Sequence, residues 1–180
     1  DMGGMGAADR DGHPPDPAGN RIARDDPAMM QRLDRNAFIE TQCAQPLSSA
    51  ILKRGQLSAM RQDVTAALRD YDQAIALNPQ EAAGYLNKGI LFFEQGEVVR
   101  ARDWISQAVA FEETSSLAYF YQGRLDARES KFESAAAAYD QSIHLSKNFI
   151  DAYRYRAAVF VSLAKHARAM EDYRTILELD

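Results

Sequence analysis

The chain repeats itself every 34 residues. One column reads Gly55, Gly89, Gly123 and Ala157, and twelve residues on the next reads Ala67, Ala101, Ala135 and Ala169. Four further on it reads Tyr71, Ile105, Tyr139 and Tyr173, and ahead of the glycines it reads Ile51, Tyr85, Tyr119 and Tyr153. The register holds without a slip from residue 48 to residue 180. A period of this length marks an array of supersecondary units, each burying its apolar face on its neighbours. It points to a scaffold rather than an enzyme, because every unit is given to the same packing.

Each unit reads as two helices. In the second, Tyr85, Lys88, Gly89, Phe92 and Phe93 mark the first helix, Gly96 breaks the pattern, and Ala101, Trp104, Ile105 and Ala108 mark the second. The first unit ends at Leu77-Asn78-Pro79, where proline forbids helix continuation. The third turns at Ser130-Lys131 and the fourth near Ala164-Lys165. The small columns have a physical cause: antiparallel helices approach closely only where one presents no bulk to the other. The units fall at 48–81, 82–115, 116–149 and 150–180.

The start of the chain differs. Residues 1–26 are rich in Gly, Ala, Asp and Pro without a helical period, and read as a flexible tail. Asp26-Pro27 opens an expected helix over 27–46, tapering at about 44, with Pro46 separating it from the array. The chain begins with Asp1, so either a leader was removed or the chain was cut to length. Cytoplasmic and periplasmic settings are both compatible.

Composition excludes several functions. A net charge of −5 argues against general nucleic-acid binding, which needs a basic face. No apolar stretch approaches the roughly 18 residues a membrane helix needs. The one cysteine, Cys43, permits no disulfide within the chain and reads as a buried thiol without a basic partner. His13, His144 and His166 are too scattered for metal-ligand spacing, and no glycine-rich phosphate loop follows a strand. Glu112-Glu113 and Glu171-Asp172 read as solvated helix-end or outer-face residues. No metal, cofactor or catalytic residue is expected.

The pattern resembles the tetratricopeptide repeat family. The second unit carries the resemblance best, through Tyr85, Gly89, Phe92, Ala101, Ile105 and Ala108. Gly55, Ala67, Tyr71, Ala74 and Pro79 match in the first unit, Tyr119, Gly123, Ala135 and Tyr139 in the third, and Tyr153, Phe160, Ala169 and Tyr173 in the fourth. Ala157 stands where the family favours Gly, and Ile51 and Ser58 where bulkier residues are usual. The resemblance implies an all-α, open right-handed solenoid of four helix pairs with a concave groove that holds segments of other proteins. It also implies that the first helix of each unit builds the concave wall. Carried over by position, the wall comprises Leu52, Lys53 and Gln56; Leu86, Asn87, Ile90 and Phe93; Phe120, Tyr121, Arg124 and Arg128; and Arg154, Tyr155 and Ala158. Leu52 and Leu86 fit internal packing as well as binding. Phe120, Tyr121, Arg124 and Tyr155 lie away from the glycine–alanine seam, and aromatic residues with Arg are the usual composition of binding hot spots. The clamp with which some family members hold the carboxylate terminus of heat-shock chaperones is not expected. Asn87 matches it, but Leu52, Gln56, Leu117 and Tyr121 do not. An asparagine ladder fails too, its column reading Lys53, Asn87, Tyr121 and Tyr155.

The function expected is a noncatalytic adaptor holding a peptide or helix of a partner protein, with Arg124, Arg128 and Arg154 orienting acidic or carbonyl groups. Two alternatives are a cell-envelope assembly or pilot protein, and a regulatory or dimerising module of a larger enzyme or sensor. The last helix carries Ala169, Tyr173, Ile176 and Leu177 on one side and needs a cover, whether further repeats, a cap helix or a second copy of the chain, so self-association is one further expectation. If the tail is ordered, either Asp9, Asp11 and Asp16 face the groove arginines or the tail runs along the outside of the first helices.

Overall fold

The computed structural model describes residues 45–112 and 115–179. The chain divides into a unit of residues 1–43 and a unit of residues 44–180, and the described residues belong to the second. The tail, almost all of the expected helix at 27–46, and Cys43 lie outside the described residues.

Eight helices and no strand occupy the described residues. They are α1 (45–60), α2 (Val64–Leu77), α3 (Ala82–Glu94), α4 (Val98–Phe111), α5 (Ser116–Arg128), α6 (Phe132–Leu145), α7 (Ile150–Ser162) and α8 (His166–Leu179). Residues 45–47 belong to α1, so Pro46 lies in its first described turn, and the helix it is expected to set apart lies almost wholly outside the described residues. No helix among the described residues is long and apolar enough to cross a membrane.

Each helix packs on its chain neighbours, and α3–α5 and α5–α7 also touch. Among the described residues no second helix of a unit touches the next second helix. The first helices therefore converge and the second helices fan apart, giving an all-α solenoid with the first helices on its inner side.

The glycine column forms the seam within each unit. A Cβ at Gly55 would lie 2.6 Å from the Tyr71 ring, one at Gly89 2.6 Å from the Ile105 side chain, and one at Gly123 2.6 Å from the Tyr139 ring. Each glycine thus faces the residue sixteen positions on, and that partner is 2%, 1% and 0% exposed in turn. In the fourth unit the pair is Ala157 and Tyr173, and Tyr173 is 42% exposed.

A polar column runs beside this seam. Arg54 forks onto Asp70 with bonds of 2.9 and 2.7 Å, and the guanidinium holds the Asp70 carboxyl below its ordinary range. Arg156 binds Asp172 within its own unit and Asp140 on the preceding helix. Asp172 is 3% exposed, which corrects its reading as a solvated outer-face residue. A buried carboxylate is tolerated only when paired, and Arg156 supplies the pairing. At the matching position of the second unit Lys88 pairs with Asp72 and lies 3.9 Å over the Trp104 ring. In the third, the Gln122 Oε1 is buried without a partner among the described residues.

The turns within the units superimpose as well. Gln62, Gly96, Ser130 and Ala164 all adopt positive φ, at 62°, 81°, 60° and 56°. Each closes the first helix with the same pair of bonds. In the second unit Gly96 N–H donates to Phe93 C=O at 3.0 Å and Glu97 N–H to Phe92 C=O at 2.9 Å.

Candidate functional site

Helix α5 projects Tyr121, Arg124 and Arg128 from consecutive turns of one face, as spacings of three and four require. The Arg124 guanidinium lies 4.4 Å from the centre of the Phe93 ring, 5.2 Å from Tyr155 and 5.3 Å from Tyr121. Rings from α3, α5 and α7 therefore surround a cation from α5. The Arg128 guanidinium sits on Phe93 as well, at 4.2 Å, and donates to the Phe93 carbonyl at 3.1 Å. Each such contact is worth roughly 0.5–1 kcal/mol at exposed sites and more when desolvated. Together they fix both arginines in place. Phe93, Arg124, Ala127, Arg128, Tyr139 and Tyr155 enclose a recess of about 240 Å³.

The sequence-selected wall residues divide into four sets. Tyr121, Arg124, Arg128 and Tyr155 converge on this recess, with Tyr155 37% exposed. Leu86, Phe93 and Phe120 are 7%, 1% and 5% exposed, so they belong to the core and support the wall from beneath. Phe120 packs edge-on to Tyr121 and Tyr155, each at 5.4 Å, and against Tyr139 and Phe149. Arg154 stands elsewhere, exposed and paired with Asp151 of its own helix at 2.9 Å.

Asn87 and Ile90 line a second cavity, of about 700 Å³, between α1, α2 and α3. Gln56 donates to the Asn87 side-chain carbonyl there at 3.3 Å. Met60 and Glu94 complete its rim, Met60 at 81% exposure. Leu52 is core, at 5% exposure. Glu94 on this rim lies 3.5 Å from Arg124, which lines the recess.

Two tyrosines in this region are perturbed. Burial pushes the Tyr121 phenol up, with Arg124 pulling the other way. Burial pushes the Tyr139 phenol further up, again against the pull of Arg124. Tyr139 was visible in the sequence only as a seam residue. That it also lines the recess depends on the path of its long ring past Gly123, and no periodic signal carries that.

The profile of the Tetratricopeptide repeat family matches residues 52–118. The mitochondrial import receptor subunit TOM70 of Homo sapiens is 28% identical over 79 residues, which cover 43% of this chain and 13% of that receptor. The match thus spans a small part of that relative's length. Among solved structures, MamA superimposes with a TM-score of 0.65 at 19% identity, over 86% of this chain and 94% of that one. The second TPR of Spaghetti (RPAP3), solved with the HSP90 peptide SRMEEVD bound, superimposes with a TM-score of 0.54 at 25% identity. That alignment covers 57% of this chain and 95% of the other.

Proposed function

We propose that the chain, whose residues 52–118 match the tetratricopeptide repeat profile, is a noncatalytic adaptor holding a peptide or helix of a partner protein against the inner wall of its first helices. One observation carries this reading: Arg124 and Tyr155 stand on the inner side, preorganised by Phe93 and Tyr121, beside an open recess. Aromatic and arginine side chains held rigidly lose little entropy on binding, which is what makes a hot spot. The import receptor and the HSP90-peptide complex among its relatives support a role in protein recognition.

The test is a photo-cross-linking amino acid placed at Tyr155 in the full chain, in the native host. A partner cross-linked at Tyr155, and lost with Arg124→Ala, supports the reading. A partner cross-linked from an outer position on α6 and not from Tyr155 overturns it.

A second reading, a dimerising module, draws on α8, where Met170, Tyr173 and Leu177 are 54%, 42% and 80% exposed. Sedimentation that stays monomeric at high micromolar concentration sinks it.

A further inference from the structure

The recess beneath Tyr155 holds a group that the fold does not use. Tyr139 is 0% exposed, and its hydroxyl has no hydrogen-bond partner among the described residues. A buried hydroxyl left unpaired is destabilising, so its retention calls for an explanation. The same recess brings together two guanidinium groups. Arg124 and Arg128 lie 4.4 and 4.2 Å from one ring, Phe93, so two like charges share a small space. What offsets them is slight. Glu94 meets Arg124 at 3.5 Å from a side chain that is 54% exposed, and Arg128 spends one N–H on the Phe93 carbonyl. Of the other nearby carboxylates, Asp126 is taken by Arg102 at 2.9 Å.

We propose that this recess is a pocket for the side-chain carboxylate of an Asp or Glu in the bound partner segment. Arg124 donates to the carboxylate from a guanidinium fixed between rings, and the Tyr139 hydroxyl donates from the floor. Arg128 adds charge at the rim. Glu94 is then a placeholder: it shows the chemistry Arg124 takes and leaves when a better-seated carboxylate arrives. The volume of about 240 Å³ is ample for one such side chain. Arg124, Arg128 and Tyr139 are not among the five positions compared above with the chaperone clamp, so the pocket is a different one. It rests on the peptide-holding reading above and specifies which residue the peptide must bring.

The test uses the full chain and two capped tripeptides, Leu-Glu-Leu and Leu-Gln-Leu, followed by NMR of the arginine Nε–H and tyrosine ring signals. The Glu peptide is expected to shift Arg124 and Tyr155, and to bind roughly tenfold more tightly than the Gln peptide, as a charge-assisted hydrogen bond requires. Tyr139→Phe removes only an unpaired hydroxyl. It should melt at the same temperature or higher, yet lose most of the preference for Glu. A merely structural Tyr139 would show neither. Arg124→Gln provides the same reading from a partly exposed position. Equal binding of the two peptides, no shift at Arg124, or an undiminished Glu preference in Tyr139→Phe overturns the pocket. So does inorganic phosphate competing better than the Glu peptide. Equal binding of both peptides at Tyr155 would leave the peptide-holding reading standing, and that reading is judged separately by the cross-link.

Discussion

Every first helix in this array has two faces, and the repeats treat them differently. Toward the seam the column reads Gly55, Gly89, Gly123 and Ala157, opposite partners at a constant spacing of sixteen. Toward the inner side the columns read Lys53, Asn87, Tyr121, Tyr155 and Gln56, Ile90, Arg124, Ala158. One face keeps the same shape four times over, and the other changes chemistry at each step. Packing tolerates no variation where backbones nearly touch, whereas a wall facing solvent is free to vary with its ligand. The difference separates two readouts: seam changes should move stability, and wall changes should move binding.

The strongest challenge to that separation is Arg156→Ala. Asp172 is 3% exposed, and removing its arginine leaves a buried carboxylate with no counter-charge. Breaking a buried pair from one side costs about 3–5 kcal/mol. Chemical denaturation should show a loss of this size with α7 and α8 leading, while any binding at the recess survives until they unfold. A midpoint shift under 1 kcal/mol, as for exposed pairs, would move this column out of the seam.

Gly89→Leu tests the seam itself. A Cβ there meets Ile105 Cγ1 at 2.6 Å and the Ile105 backbone nitrogen at 3.1 Å, and backbone cannot swing aside. Overpacking of this kind costs roughly 1–3 kcal/mol, and coupling between neighbouring units spreads the loss. At Gly123 the obstacle is the Tyr139 ring, so Gly123→Leu should also disturb the recess. An unchanged thermal melt for Gly89→Leu would break the register on which the comparison rests.

Tyr155→Ala tests the other face. Its ring is 37% exposed and stacks only partly into the core, so helix content and melting temperature should barely move. Loss of a wall aromatic should weaken partner binding by on the order of 2 kcal/mol. Calorimetry against a cross-linked partner decides it. A large fall in stability with binding intact would reverse the assignment of faces.

How much of this was legible in the sequence follows from the same two faces. The seam was, because one size of residue recurs at one spacing, and so were the breaks at Gly96, Ser130 and Ala164. The inner wall was legible only as columns. Phe93 and Phe120 occupy wall columns and yet sit at 1% and 5% exposure. A ring at the edge of a helix face goes to whichever neighbour offers apolar surface, and periodicity does not name the neighbour. The Arg54–Asp70 and Arg156–Asp172 pairs were missed for another reason. A lone charge on a helix reads as solvated, and the sixteen-residue spacing that joins these pairs fails in the second and third units, where Trp104 and Ala138 replace the aspartates.

The smallest expected effect comes from the turns, which belong to neither face and so calibrate the stability readout alone. Gly96 and Ala164 hold equivalent places, with φ of 81° and 56°. An L-residue in this region is strained by about 1–2 kcal/mol relative to the right-handed form, whereas glycine is not. Glycine gives back part of that advantage through its greater freedom in the unfolded chain, about 0.5–1 kcal/mol. Ala164→Gly should therefore stabilise the fourth unit by on the order of 1 kcal/mol or less, and Gly96→Ala should destabilise the second by a similar amount. Nothing lies within 4 Å of a Cβ at Gly96, so packing cannot be the cause. The pair makes opposite changes to one backbone state, and denaturation midpoints that move in opposite directions at constant slope are the expected result. Midpoints that fall in both variants would mean the turn is set by side-chain contacts rather than by φ. The seam's stability effects would then have to be re-measured against a different internal standard.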